Sequence, residues 1–525
     1  MQLLKTTLLF VVFVACFSCK QESNDSLDLT KASILISPSI AASFQETAMT
    51  ILLEEIEKRT ELKLKGTETW DSNTTIALTI IDEDNLYGES TPPRSDENPE
   101  YKEEDYRLLQ ENKNGKNILW IIAADKRGLL YGIGKFLRTA NMKKGELSIA
   151  TTIDISESPE YALRGHQFGY RNTANSWDSW TVEQFDQHFR EQVLFGANSF
   201  ENIPFQDPNS SVHFKVHPQE MEVELSKICA KYEADYWVWT PAPVDLTIKG
   251  AHQKGLAEQE VFYERCPRLD GVFVPGGDPG DNHPSNLIPY LEDLSVLLKK
   301  HHPKAGIWVS LQGFNKEKAE YFFDYLEEHA PDWLTGLVYG PSSPPIELER
   351  KLLPAKYKHR FYPDITHTVR CHYPVENWDQ AFALTLGREP CNPQPYHYAK
   401  LFNQDIKYTD GFITYSDGSH DDVNKIVWSQ LGWKPDRDIN ETILEYCRFF
   451  FGHEVAKKSA DGILALEKNW EGPLLGNPII KETLTLWKKL EAENQQLQDN
   501  WRWQQLIMRA YYDAYIQDRL TYEKQ

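Results

Sequence analysis

The chain of 525 residues is too long for one compact core, so about two or three domains are expected. Hydrophobic residues make up 41% of it and charged residues 26%, which is typical of globular proteins and excludes a disordered chain. The formal net charge of -22 argues against nucleic acid and against an anionic membrane surface as partners. An anionic sugar stays open as a ligand, because a local basic pocket can lie on an acidic protein.

Residues 1–19 have the pattern of a lipoprotein signal peptide. Lys5 supplies a positive charge, and the apolar run 8–17 is too short to span a bilayer. Cys19 follows a small residue and precedes a polar stretch, residues 20–30, which we interpret as a tether. An ordinary signal peptide that is cut elsewhere is the alternative. We therefore expect an exported lipoprotein of the periplasm or outer membrane, which touches the membrane through its lipid alone.

Residues 31–157 are predicted to form a small α/β domain. The apolar pattern gives strand, helix, strand, strand and helix at 34–36, 47–59, 76–81, 117–123 and 126–137. A charged loop that contains proline, residues 89–105, separates the second and third strands.

Residues 158–435 alternate short apolar runs with amphipathic helices. After a first run at Arg164, the runs fall at 198–202, 236–240, 271–274, 306–310, 336–339, 360–363 and 411–415. About seven or eight such units predict a (β/α)8 TIM-type barrel. A doubly wound open sheet is the other fold considered, but no glycine-rich phosphate loop opens any of these helices. Residues 436–525 are predicted to be a helical C-terminal domain.

Barrel enzymes carry their active sites at the carboxyl ends of the strands, so polar residues after each run are the candidates for chemistry. Cleavage of a glycoside needs one protonated and one ionised carboxyl group. Asp278 follows strand four in a tight Gly/Pro loop that suits a general acid, and Asp364 and Glu389 come from later loops. The candidate substrate ligands are His166, Gln167, Tyr170, Arg171, Gln312, His367, Arg370, Arg388 and Asp417.

Neither a metal site nor a cofactor is predicted. Past the signal region the cysteines are scattered and odd in number, with no CxxC pair. The run His420-Asp421-Asp422 is contiguous, and contiguous ligands rarely converge on one ion, so a hydrogen-bonding or capping role is preferred there. The expected partner is an oligosaccharide substrate, and self-association of the chain stays open.

Four segments carry a resemblance to a known family. Residues 271–280, Pro363-Asp364, Arg388-Glu389-Pro390 and residues 408–435 together resemble the α-glucuronidases of glycoside hydrolase family 67. More distantly, the layout is similar to that of the β-hexosaminidases, which also have a small α/β domain before the barrel. The resemblance implies the predicted fold, with Asp278 as general acid and with Asp364 and Glu389 as the two candidate bases.

The sequence departs from family 67 where that family grips a uronate. The acid is Asp278 where the family has glutamate, Val274 stands at a basic position, and residues 310–312 lack the expected arginine. The resemblance therefore implies the barrel and its acids but no uronate clamp at these positions.

Three functions follow as hypotheses. The first is an exo-acting glycoside hydrolase that trims plant or algal cell-wall oligosaccharides. The second is a lyase or dehydratase, in which a base such as His166, Tyr170 or His367, with Arg370 neutralising a uronate, eliminates water or an alcohol. The third is a glycan-binding lipoprotein without activity.

Overall fold

The computed structural model describes residues 26–70, 74–81, 83–93, 102–168, 177, 180–203, 215–242, 244–277, 280–367, 370–371, 391–416 and 418–525. At positions 364, 366, 367, 370 and 371 it describes the backbone only.

The N-terminal domain is built on a six-stranded mixed sheet and a smaller three-stranded sheet. Its strands are β1 Ser26–Asp28, β2 Ser33–Ile36, β3 Lys65–Thr67, β4 Thr74–Ile80, β5 Asn85–Leu86, β6 Glu89–Ser90, β7 Tyr106–Lys113, β8 Lys116–Ala123, β9 Asn141–Lys143, β10 Glu146–Ala150 and β11 Asp154–Glu157. The larger sheet has the order β11-β7-β8-β4-β2-β3, and the smaller one has the order β1-β10-β9. Its two helices are α1 Ala42–Thr60 and α2 Lys126–Thr139.

Part of the segment predicted as a tether belongs to the smaller sheet. Strand β1 lies inside the range 20–30 and pairs antiparallel with β10, from Ser26 opposite Ala150 to Asp28 opposite Ser148. Leu27 and Leu29 are buried in the core. The polar tether was thus predicted too long at its carboxyl end, because two alternating leucines are enough to hold a short edge strand.

Helix α2 joins the N-terminal domain to the barrel that follows. The Asp125 carboxylate caps it by accepting a hydrogen bond of 2.9 Å from the Gly128 amide. Gly134 lies against the carbonyl group of Leu194, where any larger side chain would overlap the backbone. Close approach through glycine therefore fixes the two domains against each other.

Eight parallel strands form a closed barrel, as predicted. They are β12 Leu163–Phe168, β13 Ser199–Asn202, β14 Asp235–Trp239, β15 Gly271–Pro275, β16 Gly306–Ser310, β17 Leu334–Tyr339, β18 Lys358–Phe361 and β21 Gly411–Ser416. Each pairs with the next, and β12 pairs with β21 to close the ring. A hairpin of β19 Asp364–His367 and β20 Arg370–Cys371 extends the sheet beyond the end of β21.

The helices that surround and follow the barrel are α3 Val182–Leu194, α4 Pro218–Lys231, α5 Ala251–Arg265, α6 Pro284–His301, α7 Lys316–His329, α8 Ile346–Leu352, α9 Pro395–Asp405, α10 Asp422–Trp433, α11 Ile439–Phe451, α12 His453–Lys468, α13 Pro478–Glu493 and α14 Trp501–Glu523. The last four make up the predicted helical C-terminal region. Of the helices that the structure describes, none combines the length and the apolar character needed to cross a membrane.

Candidate active site at the barrel mouth

The loops after β15 and β16 are held together at the carboxyl end of the barrel. The Gly276 amide donates to the Ser310 carbonyl at 3.0 Å, and the Gly277 amide donates to the Gln312 carbonyl at 2.9 Å. A Cβ at Gly276 would lie 2.5 Å from the same Ser310 oxygen, so glycine is needed there. This backbone leads directly into the predicted general acid, Asp278, which itself lies outside the described residues.

The predicted base Asp364 follows β18 and joins the sheet beside the end of β21. Its backbone pairs with that of Tyr415, and the Tyr415 amide donates to the Pro363 carbonyl at 2.9 Å. Strand β21 then ends at Ser416, directly before Asp417. The backbone thus brings the segments that carry these two acids to one rim, although neither carboxylate is among the described atoms.

The segment that follows Glu389 is anchored to the start of α10. The Gln394 amide donates to the Asn424 side chain at 2.9 Å, and the Asn424 amide group donates to the Asn392 carbonyl at 2.9 Å. From the C-terminal domain, Arg509 donates to the Cys391 carbonyl at 3.0 Å. Helix α10 follows β21, so this anchor lies on the same side of the barrel as the other acids.

The structure leaves part of the predicted site undescribed. His367 and Arg370 face each other as partners across the β19–β20 hairpin, with their backbone alone described. The predictions for Cys19, Tyr170, Arg171, Asp278, Arg388, Glu389 and Asp417 all fall outside the residues that the structure describes.

A buried ion pair lies inside the barrel, and the sequence analysis missed it. Arg360 of β18 donates hydrogen bonds from both of its terminal guanidinium nitrogens to the carboxylate of Glu201 of β13, at 2.6 Å and 3.0 Å. Both side chains are 0% exposed. A bidentate pair of this kind is among the stronger charge-assisted interactions and holds both groups in one orientation.

Gln167 and Tyr362 complete this polar cluster. The Gln167 amide group donates to Glu201, and the Tyr362 hydroxyl donates to the Gln167 carbonyl oxygen at 2.9 Å. Gln167, predicted as a substrate ligand, therefore faces the barrel interior, where it supports Glu201. Gln312, also predicted, is half-buried on the loop after β16, which places it at the rim.

Aromatic rings surround the cluster. The Arg360 guanidinium lies 5.1 Å from the ring centres of Trp237 and of Phe273, and Trp237 lies 5.2 Å from Trp308. The rings of Tyr362, which directly follows β18, and Tyr415 of β21 lie 5.8 Å apart. The rings and the ion pair fill the barrel interior as a packed core below the rim.

Three inward polar atoms remain without a partner within the described part of the chain. They are Nε of Arg360, Nε1 of Trp237 and Oγ of Ser310. Buried polar atoms are normally hydrogen-bonded, and these three are exceptions inside the packed barrel core.

His166 is not a substrate ligand in this geometry, which corrects the prediction for it. Its ring bonds Thr414 and Ser429, each at 2.8 Å, and so lies between the barrel wall and α10. Burial lowers the pKa of His166 well below its usual value, with a further contribution from Lys425, so the ring is neutral. Successive residues of a strand point to opposite faces, and it is Gln167, one residue later, that points inward.

The alternation of side chains along a strand could also have predicted that Glu201 and Arg360 point into the barrel. His359 points outward and bonds Glu349 at 3.0 Å, so Arg360 points inward. Phe200 packs outward on Phe189 of α3, so Glu201 points inward. A charged residue at an inward position of a barrel strand needs a partner in the interior, and these two supply each other.

Among the described residues, no group of three or more His, Cys, Asp or Glu side chains could hold a metal ion. Asp422, in the contiguous run for which a hydrogen-bonding or capping role was preferred, accepts a hydrogen bond from Arg502 at 2.6 Å.

The barrel, the α/β domain before it and the helices after it define a protein with the fold of certain glycoside hydrolases. A family 115 4-O-methyl-α-glucuronidase with specificity for decorated arabinogalactans has a TM-score of 0.57 and 12% identity, over 89% of this chain and 68% of that one. A family 20 β-N-acetylhexosaminidase from Streptomyces coelicolor has a TM-score of 0.54 and 10% identity, over 83% and 93%. A family 20 exo-β-N-acetylglucosaminidase from Vibrio harveyi has a TM-score of 0.52 and 12% identity, over 83% and 75%.

At the level of sequence, no protein-family model and no curated protein matches this chain. The likeness in fold to an α-glucuronidase and to β-hexosaminidases confirms the layout that was predicted. It supports a glycoside hydrolase-like fold, and the particular resemblance to family 67 stays a prediction.

Proposed function

We propose that this chain is an exo-acting glycoside hydrolase, which releases a terminal sugar from plant or algal cell-wall oligosaccharides. One observation carries the proposal. The backbone brings the segments after β15 and β18, which bear Asp278 and Asp364, to one end of a closed barrel, and the segment that follows Glu389 is anchored at the same end.

The acids divide into two roles under this proposal. Asp278 protonates the glycosidic oxygen as the leaving group departs, while Asp364 or Glu389 takes a proton from the attacking water. The remaining carboxylate positions that water. The Gly276 and Gly277 hydrogen bonds support the role of Asp278, because they hold the loop directly before it.

The barrel interior supports the rim from below. Trp237 and Trp308 are 4% and 5% exposed and pack beside the polar cluster of Gln167, Glu201, Arg360 and Tyr362, so this core holds the strands whose ends carry the candidate acids. Because Arg360 is already neutralised by Glu201, it does not act as a clamp for a uronate. If the terminal sugar is a uronic acid, its carboxylate is held by Arg171, Arg370 or Arg388.

Replacing each candidate acid tests the proposal. Asp278→Asn, Asp364→Asn and Glu389→Gln are each expected to lower kcat by about 10²- to 10⁴-fold. The matched control is Asp281→Asn, three residues further along the Asp278 loop, where the side chain is 90% exposed and pairs with Lys318. Full activity of Asp278→Asn on an oligosaccharide that the parent cleaves would overturn the assignment of the acid.

The same assay separates hydrolysis from elimination. Hydrolysis gives products whose masses sum to substrate plus water, whereas elimination gives a new ultraviolet absorbance from an unsaturated uronate. No described contact favours elimination, and His166, one of its candidate bases, is enclosed between strand and helix.

We also propose that the chain is a lipoprotein anchored through Cys19, in the periplasm or at the outer membrane. Its support is the pattern of residues 1–19. Cys19→Ala is expected to abolish incorporation of labelled palmitate and to move the protein from the membrane fraction to the soluble one. Unchanged labelling would contradict the anchor and leave the barrel chemistry unaffected.

A further inference from the structure

A cavity of about 900 Å³ lies beside the barrel. Helices α3 and α14 form its two long sides, and α1 and α11 contribute Arg59 and Phe450. Its volume is within the range of about 300–1,000 Å³ that is usual for ligand sites. None of its lining residues belongs to the polar cluster inside the barrel.

A wall of rings separates the cavity from the barrel interior. His188 lines the cavity, and its ring lies 5.6 Å from Phe168, the last residue of β12, and 5.3 Å from Trp177. A ligand in the cavity therefore contacts neither Glu201 nor Arg360.

Two tryptophans give the cavity a stacking surface. Trp180 and Trp501 both line it and contact each other edge to face, with ring centres 6.0 Å apart and planes at 72°. Both are half-buried, so part of each ring stays accessible. Tryptophan rings combine a large apolar face with an N–H donor, which matches the mixed surface of a sugar.

Side-chain amides supply the polar part of the lining. Gln504 donates to the Gln498 carbonyl at 2.6 Å, Gln505 donates to Ser419 at 2.8 Å, and Gln184 accepts from the Thr181 amide at 2.9 Å. Among the described residues, each of these three amides uses only one of its two polar ends in this way. An amide can both donate and accept, as a sugar hydroxyl does.

The basic groups that line the cavity are paired with carboxylates. Arg502 binds Asp422 at 2.6 Å and Glu191 at 2.8 Å, Arg59 binds Glu55 at 2.5 Å, and Lys58 lies 3.6 Å from Glu191. An anionic ligand would therefore gain little over an uncharged one.

His188 adds an uncharged polar atom to the lining. Burial lowers the pKa of His188 to about 3, against the opposing effect of Asp422, so the ring is neutral. The side chain is 2% exposed. Its Nδ1 lies 3.9 Å from Asp422 Oδ1, too far for a hydrogen bond, and has no hydrogen-bond partner in the part of the chain that the structure describes. A buried ring nitrogen of this kind is a contact that a hydroxyl group can satisfy.

We propose that this cavity is a second carbohydrate site, which binds an uncharged stretch of a short oligosaccharide. Trp501 and Trp180 stack on its rings, and Gln184, Gln505 and His188 bond its hydroxyl groups. The choice of a glycan as ligand rests on the proposed function, but the site shares no residue with the catalytic machinery. It would hold oligosaccharides close to the barrel mouth, since Ser419 follows β21 and also lines the cavity.

Titration calorimetry on the full chain tests the site, with xylohexaose, cellohexaose and laminarihexaose as probes. At least one probe is expected to bind, and Trp501→Ala is expected to weaken that binding by about tenfold. The matched control is Tyr515→Ala, an aromatic residue on the same helix that is 59% exposed and does not line the cavity. Because Arg502 packs 4.2 Å from the Trp501 ring, Gln505→Ala is a second variant that leaves this contact in place.

Each outcome decides between the two proposals. Binding that Trp501→Ala and Gln505→Ala weaken, and that Asp278→Asn leaves unchanged, supports the second site whether or not the chain is catalytic. No binding by any probe at millimolar concentration overturns the second site, as does binding that neither cavity variant changes. Hydrolysis by a chain without cavity binding overturns the second site alone and leaves the proposed function standing.

Discussion

Replacing Arg360 by methionine removes the positive half of the ion pair inside the barrel. The change leaves Glu201 0% exposed and without the two guanidinium contacts at 2.6 Å and 3.0 Å. Its remaining described partner is the Gln167 amide group. Methionine keeps much of the apolar volume that packs against Trp237 and Phe273, so the loss is mainly electrostatic.

The expected cost is large because a buried charge is left unpaired. Breaking a buried pair costs about 3–5 kcal/mol, and the Gln167 contact places Arg360→Met near the lower end. For a domain of this size, 1 kcal/mol lowers Tm by about 2–4 °C, so a decrease of about 10 °C is expected.

Thermal unfolding followed by tryptophan fluorescence measures this effect. Glu201→Gln combined with Arg360→Met should recover at least half of the lost Tm, because no buried charge remains. The control is Arg265→Met, which breaks an exposed pair with Glu220 and should cost about 1 kcal/mol or less. A Tm within 2 °C of the parent for Arg360→Met, roughly the effect of 1 kcal/mol, would refute this reasoning.

Two further predictions concern the rim and the C-terminal domain. Gly276→Ala should lower kcat/KM by about a hundredfold while the fold survives, because its Cβ would displace the Ser310 carbonyl and with it the Asp278 loop; parental kcat/KM would contradict this. Burial raises the pKa of Glu467 to about 7, against the Tyr396 and His397 amides that donate to it. Because folding raises this pKa, the folded state stays protonated to a higher pH than the unfolded state does. The contribution of Glu467 to stability is therefore fully present below about pH 4 and is lost as the pH rises through 7. Glu467→Gln should therefore exceed the parent in unfolding free energy by about 3 kcal/mol at pH 8 and match it at pH 4, as measured in urea; equal stability at pH 8 would count against the shift.

The barrel could be predicted because its strands are short apolar runs at regular spacing. The N-terminal sheet was harder to predict. Strand β7 was not predicted. Its last four residues, Gln110 to Lys113, are polar, and only its first three residues are fully buried. The turn Asn114-Gly115, with φ of 52° and 78°, joins it to β8 and was a usable hairpin signal.

The candidate site could be predicted in part, and the reason is strand alternation. Polar residues were chosen because they follow apolar runs. This criterion predicts which residues lie at the rim of the barrel, but it does not predict the direction in which each side chain points. Gln167 and His166 are neighbours, yet only Gln167 points into the barrel. Glu201 and Arg360 lie within the runs themselves, and the partner of each is far away in sequence, so only the closed barrel brings them together.

The proposed glycoside hydrolase activity is tested most directly by the mass of its products. The purified chain would be incubated with plant and algal cell-wall oligosaccharides in water enriched in heavy oxygen. We predict release of a single terminal sugar with heavy oxygen at its anomeric carbon, at a rate that Asp278→Asn lowers and Asp281→Asn does not. Products that carry no heavy oxygen, an unsaturated product, or binding without any product would contradict the account.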